Sequence, residues 1–181
     1  MSWKFYTADG AEKQTTDSTA AASTTVAGKV ELAIASEIDT GTSVTLAVTP
    51  DSLAGSNYGE KGFCIAPVAS GAAVAIANGT YAFTIPPTFD GWNLIDAIAS
   101  VTDKGITGTT DVQVRRRRAG SDADMLSTKI TIGDEFFASD GVVNESNDDV
   151  NTGDQIYVDV DAIHSGTAPN GLSVNLVFRL P

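Results

Sequence analysis

The sequence predicts an all-β protein, with an antiparallel, jelly-roll-like sandwich at the C-terminus behind an extended N-terminal arm and a short stem segment. Three observations predict it. The segments 156–163 and 172–180 alternate apolar and polar residues almost without a break. From Tyr58 onward, short apolar stretches recur between Gly, Asn, Asp and Pro punctuation, the rhythm of a sandwich or barrel. The chain has 181 residues, 42% of them hydrophobic and 19% charged, which suffices for one real core but not for two. The expected organisation is therefore a docking arm and linker over 1–25, a stem or oligomerisation segment over 26–57, and the sandwich over 58–181.

The arm opens with the aromatics Trp3, Phe5 and Tyr6, followed by the turn-like Ala8-Asp9-Gly10. A free tail gains nothing by exposing such side chains. They either dock on another protein or pack on this chain's own domain. Residues 14–26 are a Thr, Ser and Ala tract with little to bury, hence an extended linker. At about 3.3 Å per residue its reach is about 40 Å, enough to cross a neighbouring subunit.

In the stem, Val30, Leu32 and Ile34 alternate with Lys29, Glu31 and Ala33, which predicts a short strand. Thr49-Pro50-Asp51 predicts a helix start: Thr supplies the capping oxygen, Pro takes the first helical position, and Asp is favoured by the helix dipole. Gly55 ends the helix after about a turn and a half.

Eight strands are expected in the sandwich, over 63–68, 72–77, 80–85, 92–102, 111–117, 125–132, 155–163 and 172–180. Ile156, Val158, Val160 and Ala162 form one face against Asp159 and Asp161. Leu172, Val174, Leu176 and Phe178 oppose Ser173, Asn175 and Arg179. The turn-rich 164–171 connection lets these two strands pair as a hairpin or cross between sheets. Residues 92–102 also fit helical spacing, and the alternation of Ile95, Ala97, Ala99 and Val101 favours the strand. Pro86-Pro87 demands a loop before it.

Charge excludes some functions. A net charge of −12 repels nucleic acid, whose binding depends on cations displacing counterions. The stretch 131–170 holds nine acids, Asp134 to Asp161, with no Lys or Arg: a solvated rim or a cation site. No apolar run approaches the roughly 18 residues of a membrane-spanning helix. The start, Met1-Ser2-Trp3-Lys4-Phe5-Tyr6, turns polar too soon for a signal-peptide core, so no secretion signal and no membrane partner are expected. The single cysteine, Cys64, precludes an intrachain disulfide. Its neighbours Phe63 and Ile65 suggest a buried thiol.

Chemistry is sparse. The only histidine, His164, sits beside Ser165 in a loop, with no Gly-x-Ser-x-Gly elbow, and is expected to be solvent-exposed and not catalytic. Asn147, Asp149 and Asn151 with Gly153 and Asp154 invite a calcium reading within 134–154. The EF-hand order fails, because the glycine comes one place late and the terminal Glu is missing, so an acidic surface loop is favoured. The run Arg115, Arg116, Arg117 and Arg118 continues the strand of Val112 and Val114 and splits between two faces. It suits ion pairing between sheets or between subunits, a trimer placing it against the acidic stretch of the next copy. Tyr81 alternates with Phe83 and Ile85 as core, which leaves Phe89 and Trp92 as candidate glycan contacts. No cofactor and no metal site are expected.

Two stretches carry a resemblance. "VAGKVELAIASEIDTGTSVTLAVTPDSLAG" resembles a segment that recurs in tail fibres and related virion proteins of tailed bacteriophages, and the opening "WKFYTADG" is similar to the starts of small phage virion proteins. The C-terminal part is similar to a small β domain of phage virion proteins through "IPPTFDGWNLIDAIASVTDKGITGTTDVQVRRRR", "DMLSTKITI", "NDDVNTGDQIYVDVDAI" and "APNGLSVNLVFRLP". The resemblance implies a sandwich that trimerises, located in the virion after synthesis in the host cytoplasm. It implies a non-enzymatic structural role. The expected function is capsid decoration, as a cement protein or head fibre whose arm attaches to the major capsid protein or another virion protein. The alternative is a tail-fibre or baseplate protein recognising host-surface glycans.

Overall fold

The computed structural model describes residues 5–6, 12–13, 29–79 and 82–181, so Trp3, the 14–26 tract and Tyr81 lie outside the described residues. By compactness the chain divides into two units, 1–56 and 57–181.

In the first unit, Phe5–Tyr6 (β1) pairs antiparallel with Glu12–Lys13 (β2), Phe5 opposite Lys13 and Tyr6 opposite Glu12. Two short helices follow, Ala35–Thr40 (α1) and Pro50–Ala54 (α2). Helix α2 starts as the sequence requires: Thr49 is the N-cap, its Oγ1 accepting from the Ser52 N–H at 3.1 Å, Pro50 opens the helix, and Gly55 is the C-cap. Helix α1 follows directly on the expected stem strand, over residues for which the sequence predicts no element. The Glu37 carboxylate accepts from the Ile34 N–H at 3.0 Å, and Gly41 closes the helix in the left-handed region at φ 64°. The strand expected over Val30 to Ile34 shrinks to a single parallel bridge, Leu32 to Ala47. Neither face is covered: Val30, Leu32 and Ile34 are 47%, 60% and 61% exposed, Lys29 and Glu31 are exposed as well, and only Ala33 is buried.

The second unit is all β apart from short 3-10 turns. Its strands are Lys61–Ala73 (β3), Ala82–Thr84 (β4), Trp92–Asp103 (β5), Thr110–Arg118 (β6), Ser121–Asp124 (β7), Leu126–Thr128 (β8), Ile130–Ile132 (β9), Phe137–Ala138 (β10), Val142–Val143 (β11), Asp149–Val150 (β12), Gln155–Ala162 (β13) and Asn170–Arg179 (β14). All pairings among them are antiparallel. One five-stranded sheet runs β10-β5-β14-β3, with β12 also on β5; the other runs β4-β13-β6-β7, with β9 also on β6. Strands β8 and β11 form a separate pair.

The two strands with the clearest alternation, β13 and β14, lie in different sheets, so the 164–171 connection crosses between sheets. Ile156, Val158 and Val160 from one sheet and Leu172, Val174, Leu176 and Phe178 from the other are all buried in one hydrophobic core. At about 25 cal/mol per Å² of apolar surface removed from water, this shared burial is what holds the sheets together. The stretch 92–103 is a strand throughout: Trp92, Leu94, Ala97, Ala99 and Val101 are buried, and the one break in the alternation, at Ile95 and Asp96, coincides with a register shift against β14. Pro86 and Pro87 lead into a 3-10 turn, Pro87–Phe89, before it.

Two strand expectations and the reading of Cys64 change. The single strand over 125–132 divides into β8 and β9, because the chain moves from pairing with β11 to pairing with β6. The strand over 72–77 is split: Ala73 ends β3, and Ala77 makes only a bridge to Val160 in the opposite sheet. Cys64 is exposed, not buried. In a strand, flanking residues such as Phe63 and Ile65 face away from the residue between them, so an inward Ile65 turns the thiol outward.

Candidate functional site

The charged chemistry of the second unit gathers on β6 and the strands beside it. The turn that builds the site is Ala119-Gly120, with φ 49° and 84°, joining β6 to β7 as a two-residue hairpin in which Arg118 faces Ser121. That register sets Asp122 opposite Arg117 and Asp124 opposite Arg115. On the other side of β6, Tyr157 of β13 lies opposite Arg115.

Alternation sends Arg115 and Arg117 to the outer face. Arg115 grips Asp159 in a fork, Nε donating at 2.6 Å and Nη2 at 3.2 Å, and its Nη1 lies 2.8 Å from Asp122. Arg117 grips Asp122 in the same way, at 2.6 and 2.9 Å. The Tyr157 ring lies between the two guanidinium groups, 4.8 and 5.0 Å from its centroid. Asp159 also accepts from the Gly79 N–H. Gly79 has φ +66°, and a Cβ there would sit 3.1 Å from Arg115 Nη2 and 3.2 Å from Tyr157. With Lys129 paired to Asp161 at 2.7 Å, these groups line an open depression of about 480 Å³.

Arg116 and Arg118 point the other way, to the rim between the sheets. Arg116 donates to the carbonyl and carboxylate of Asp149 in β12. Arg118 forks onto Asp154 at 3.0 and 2.6 Å and reaches Asp149 at 2.8 Å. Because β12 belongs to the β5 sheet and β6 to the other, these pairs tie the two sheets together. Of the two expected pairings, the one between sheets is seen: within the chain, the acids of the 131–170 stretch that meet the arginines are Asp149, Asp154 and Asp159.

The electrostatics follow from the pairing. Hydrogen bonding from Arg117 holds Asp122 down to about 2. Burial raises Asp149 and Asp154, but hydrogen bonds from Arg116 and Arg118 outweigh it and leave both below the usual carboxylate range. A carboxylate held so low stays ionised down to strongly acid pH. The calcium reading loses its ligands to the same pairing. Asp149 and Asp154 are committed to guanidinium groups, and Asp154 is buried at 3% exposure, not part of a surface loop.

Two further expectations are overturned. Phe89 and Trp92 are 6% and 7% exposed, not open to a glycan. They stack with one another at 4.9 Å, Phe89 packs on Phe63 at 4.5 Å, and Phe178 closes the cluster from below at 6.0 Å. The Lys61 ammonium covers the cluster, 4.7 Å from the Trp92 ring. His164 is 3% exposed, not a free loop residue. Its Nε2 donates to the Gly133 carbonyl at 3.2 Å, which leaves Nδ1 to accept from the Thr110 hydroxyl at 2.9 Å. Ser165 Oγ donates elsewhere, to the Thr107 carbonyl at 3.3 Å, so no histidine–serine couple forms.

Of the expected docking aromatics, Trp3 lies outside the described residues, and Phe5 and Tyr6 are placed only as backbone in β1. Sequence reasoning missed Asp122, Tyr157 and Gly79. The signal available for the first was the Asp-Ala-Asp alternation after Ala119-Gly120, which marks a short strand returning along the arginines. No family model matches the chain, and no curated protein is similar enough to match it.

Proposed function

We propose that this chain is a non-enzymatic structural protein of a tailed-phage virion, a homotrimer that attaches through its N-terminal arm and displays the sandwich outward as capsid decoration, a cement protein or head fibre. The observation that carries the reading is the surface of residues 29–56. Val30, Leu32, Ile34, Val44, Val48 and Leu53 are 47%, 60%, 61%, 97%, 56% and 43% exposed around two helices of six and five residues. Helices so short do not hold themselves together in water, and apolar side chains in such density gain stability only when something covers them. Parallel copies of the same segment around a threefold axis supply that cover, as a stem does.

The sandwich fits the displayed role. Its two sheets have five strands each, β3, β5, β10, β12 and β14 on one side and β4, β6, β7, β9 and β13 on the other, and the chain crosses between them repeatedly. Two antiparallel sheets packed on one hydrophobic core are compatible with the jelly-roll-like reading. Asp122, Asp149, Asp154 and Asp159 are tied up by arginine, which favours a rigid module over a reactive one. The rival reading, a receptor-binding protein for host glycans, loses its proposed contacts with the burial of Phe89 and Trp92.

The test is deletion of residues 1–13. The shortened chain is expected to keep a three-chain mass in light scattering and to lose co-sedimentation with virus particles stripped of the protein. Retained attachment removes the docking arm from the account.

A further inference from the structure

We infer that the outer face of the β10-β5-β14-β3 sheet is the surface against which second copies of this chain pack; the inference rests on the trimer reading above and assigns its contact face in the sandwich. The two outer faces of this unit differ in kind. Over β6, β7 and β13 the surface is a lattice of Arg, Asp and Lys pairs. On the opposite sheet, two cross-strand rows carry no charge, and the row beside them, Asp96, Val177 and Gly62, holds a single carboxylate. One row reads Phe137, Ser100, Ser173, with the two serine hydroxyls 2.8 Å apart. The next reads Ile98, Asn175, Cys64. Their neighbours in sequence, Ala99, Val174 and Ile65, are buried, so these side chains point away from the core.

Charge decides who can approach this face. Each copy carries −12, so two copies repel one another over most of their surfaces, and the least costly approach is through the region poorest in carboxylates, here the two uncharged rows beside Asp96. The face is suited to it in shape as well. Phe137 stands 60% exposed at one margin, and beside it Ser100, Ser173 and Gly171 floor a groove of about 220 Å³ that an apolar side chain of a neighbour can enter. The far margin is β3, thirteen residues long and hydrogen-bonded among the described residues only to β14. An edge strand of that length needs a cover, and Pro67 interrupts it without hiding it. With β14 nearest a threefold axis, each copy covers the margins of its neighbours.

Cys64 lies within this face and is the chain's single cysteine, which makes it a reporter. The experiment measures, on the full chain, mass by light scattering and the rate of Cys64 alkylation by a maleimide. The wild type is expected to run as a multimer, with Cys64 at least about tenfold slower to react than in the unfolded chain. Asn175→Arg, which adds charge to the middle of the face, is expected to give a folded single-chain species whose thiol reacts at the free rate. Thr84→Arg, the same change on the opposite sheet, is expected to keep the multimer. A multimer whose Cys64 reacts at the free rate overturns this face but leaves the trimer reading standing, and so does a folded Asn175→Arg that stays multimeric. A wild-type monomer overturns both. The wild-type comparison decides the matter even if Asn175→Arg does not fold.

Discussion

His164 shows how a residue with the outward marks of a loop becomes part of the core. It lies in a Ser, Gly and Thr stretch, yet its imidazole ties Thr110 to Gly133 and packs against Gly105, where an added Cβ would lie 2.3 Å from the ring. Three segments distant in sequence meet on this one ring. Replacing it by alanine empties a packed site and leaves a buried hydroxyl and a carbonyl without partners, so His164→Ala is expected to lower stability by about 2–4 kcal/mol in urea unfolding. Little of this was legible. The sequence around His164 names neither partner, because both arrive from other loops. Cys64 differs from its expectation for another reason: its apolar neighbours Phe63 and Ile65 suggest a shared environment, whereas the period of a strand places them on the opposite face.

At the scale of elements, the long strands were legible and the short ones were not. Strands β5, β13 and β14 run for eight residues or more and show their period, while β10, β11 and β12 have two residues each, too few to show any. The arginine strand was legible as a strand with two faces. Its partners were not, since they depend on the Ala119-Gly120 turn and on which strand of each sheet lies beside β6. The same pairs set the acid response. Asp122, Asp149 and Asp154 have folded-state pKa values below their unfolded ones, so the unfolded chain binds more protons as the pH falls. Their contribution is complete above the ordinary carboxylate range near 4 and is lost as the pH falls toward about 2, the value Asp122 reaches in the fold. Thermal melting between pH 6 and pH 2.5, conditions chosen to bracket that range, is expected to show a steep acid loss. The double variant Asp122→Asn, Asp154→Asn is expected to start less stable and to lose less. An equal acid slope in both proteins would detach the ion pairs from the response.

At the scale of the molecule, the fold class came directly from alternation and punctuation, whereas function came from resemblance and from what the surfaces leave uncovered. The net charge of −12 kept nucleic acid out of the reading, and the structure adds where that charge is absent. In the proposed reading, the apolar surface of 29–56 and the charge-poor face over β5 and β14 are covered by further copies of the same chain. The central claim is therefore the trimer. Sedimentation equilibrium of the full chain at micromolar concentration measures it most directly. The account predicts a single species of three times the 18.7 kDa chain mass. A species of one chain mass, unchanged as the concentration rises, would contradict it.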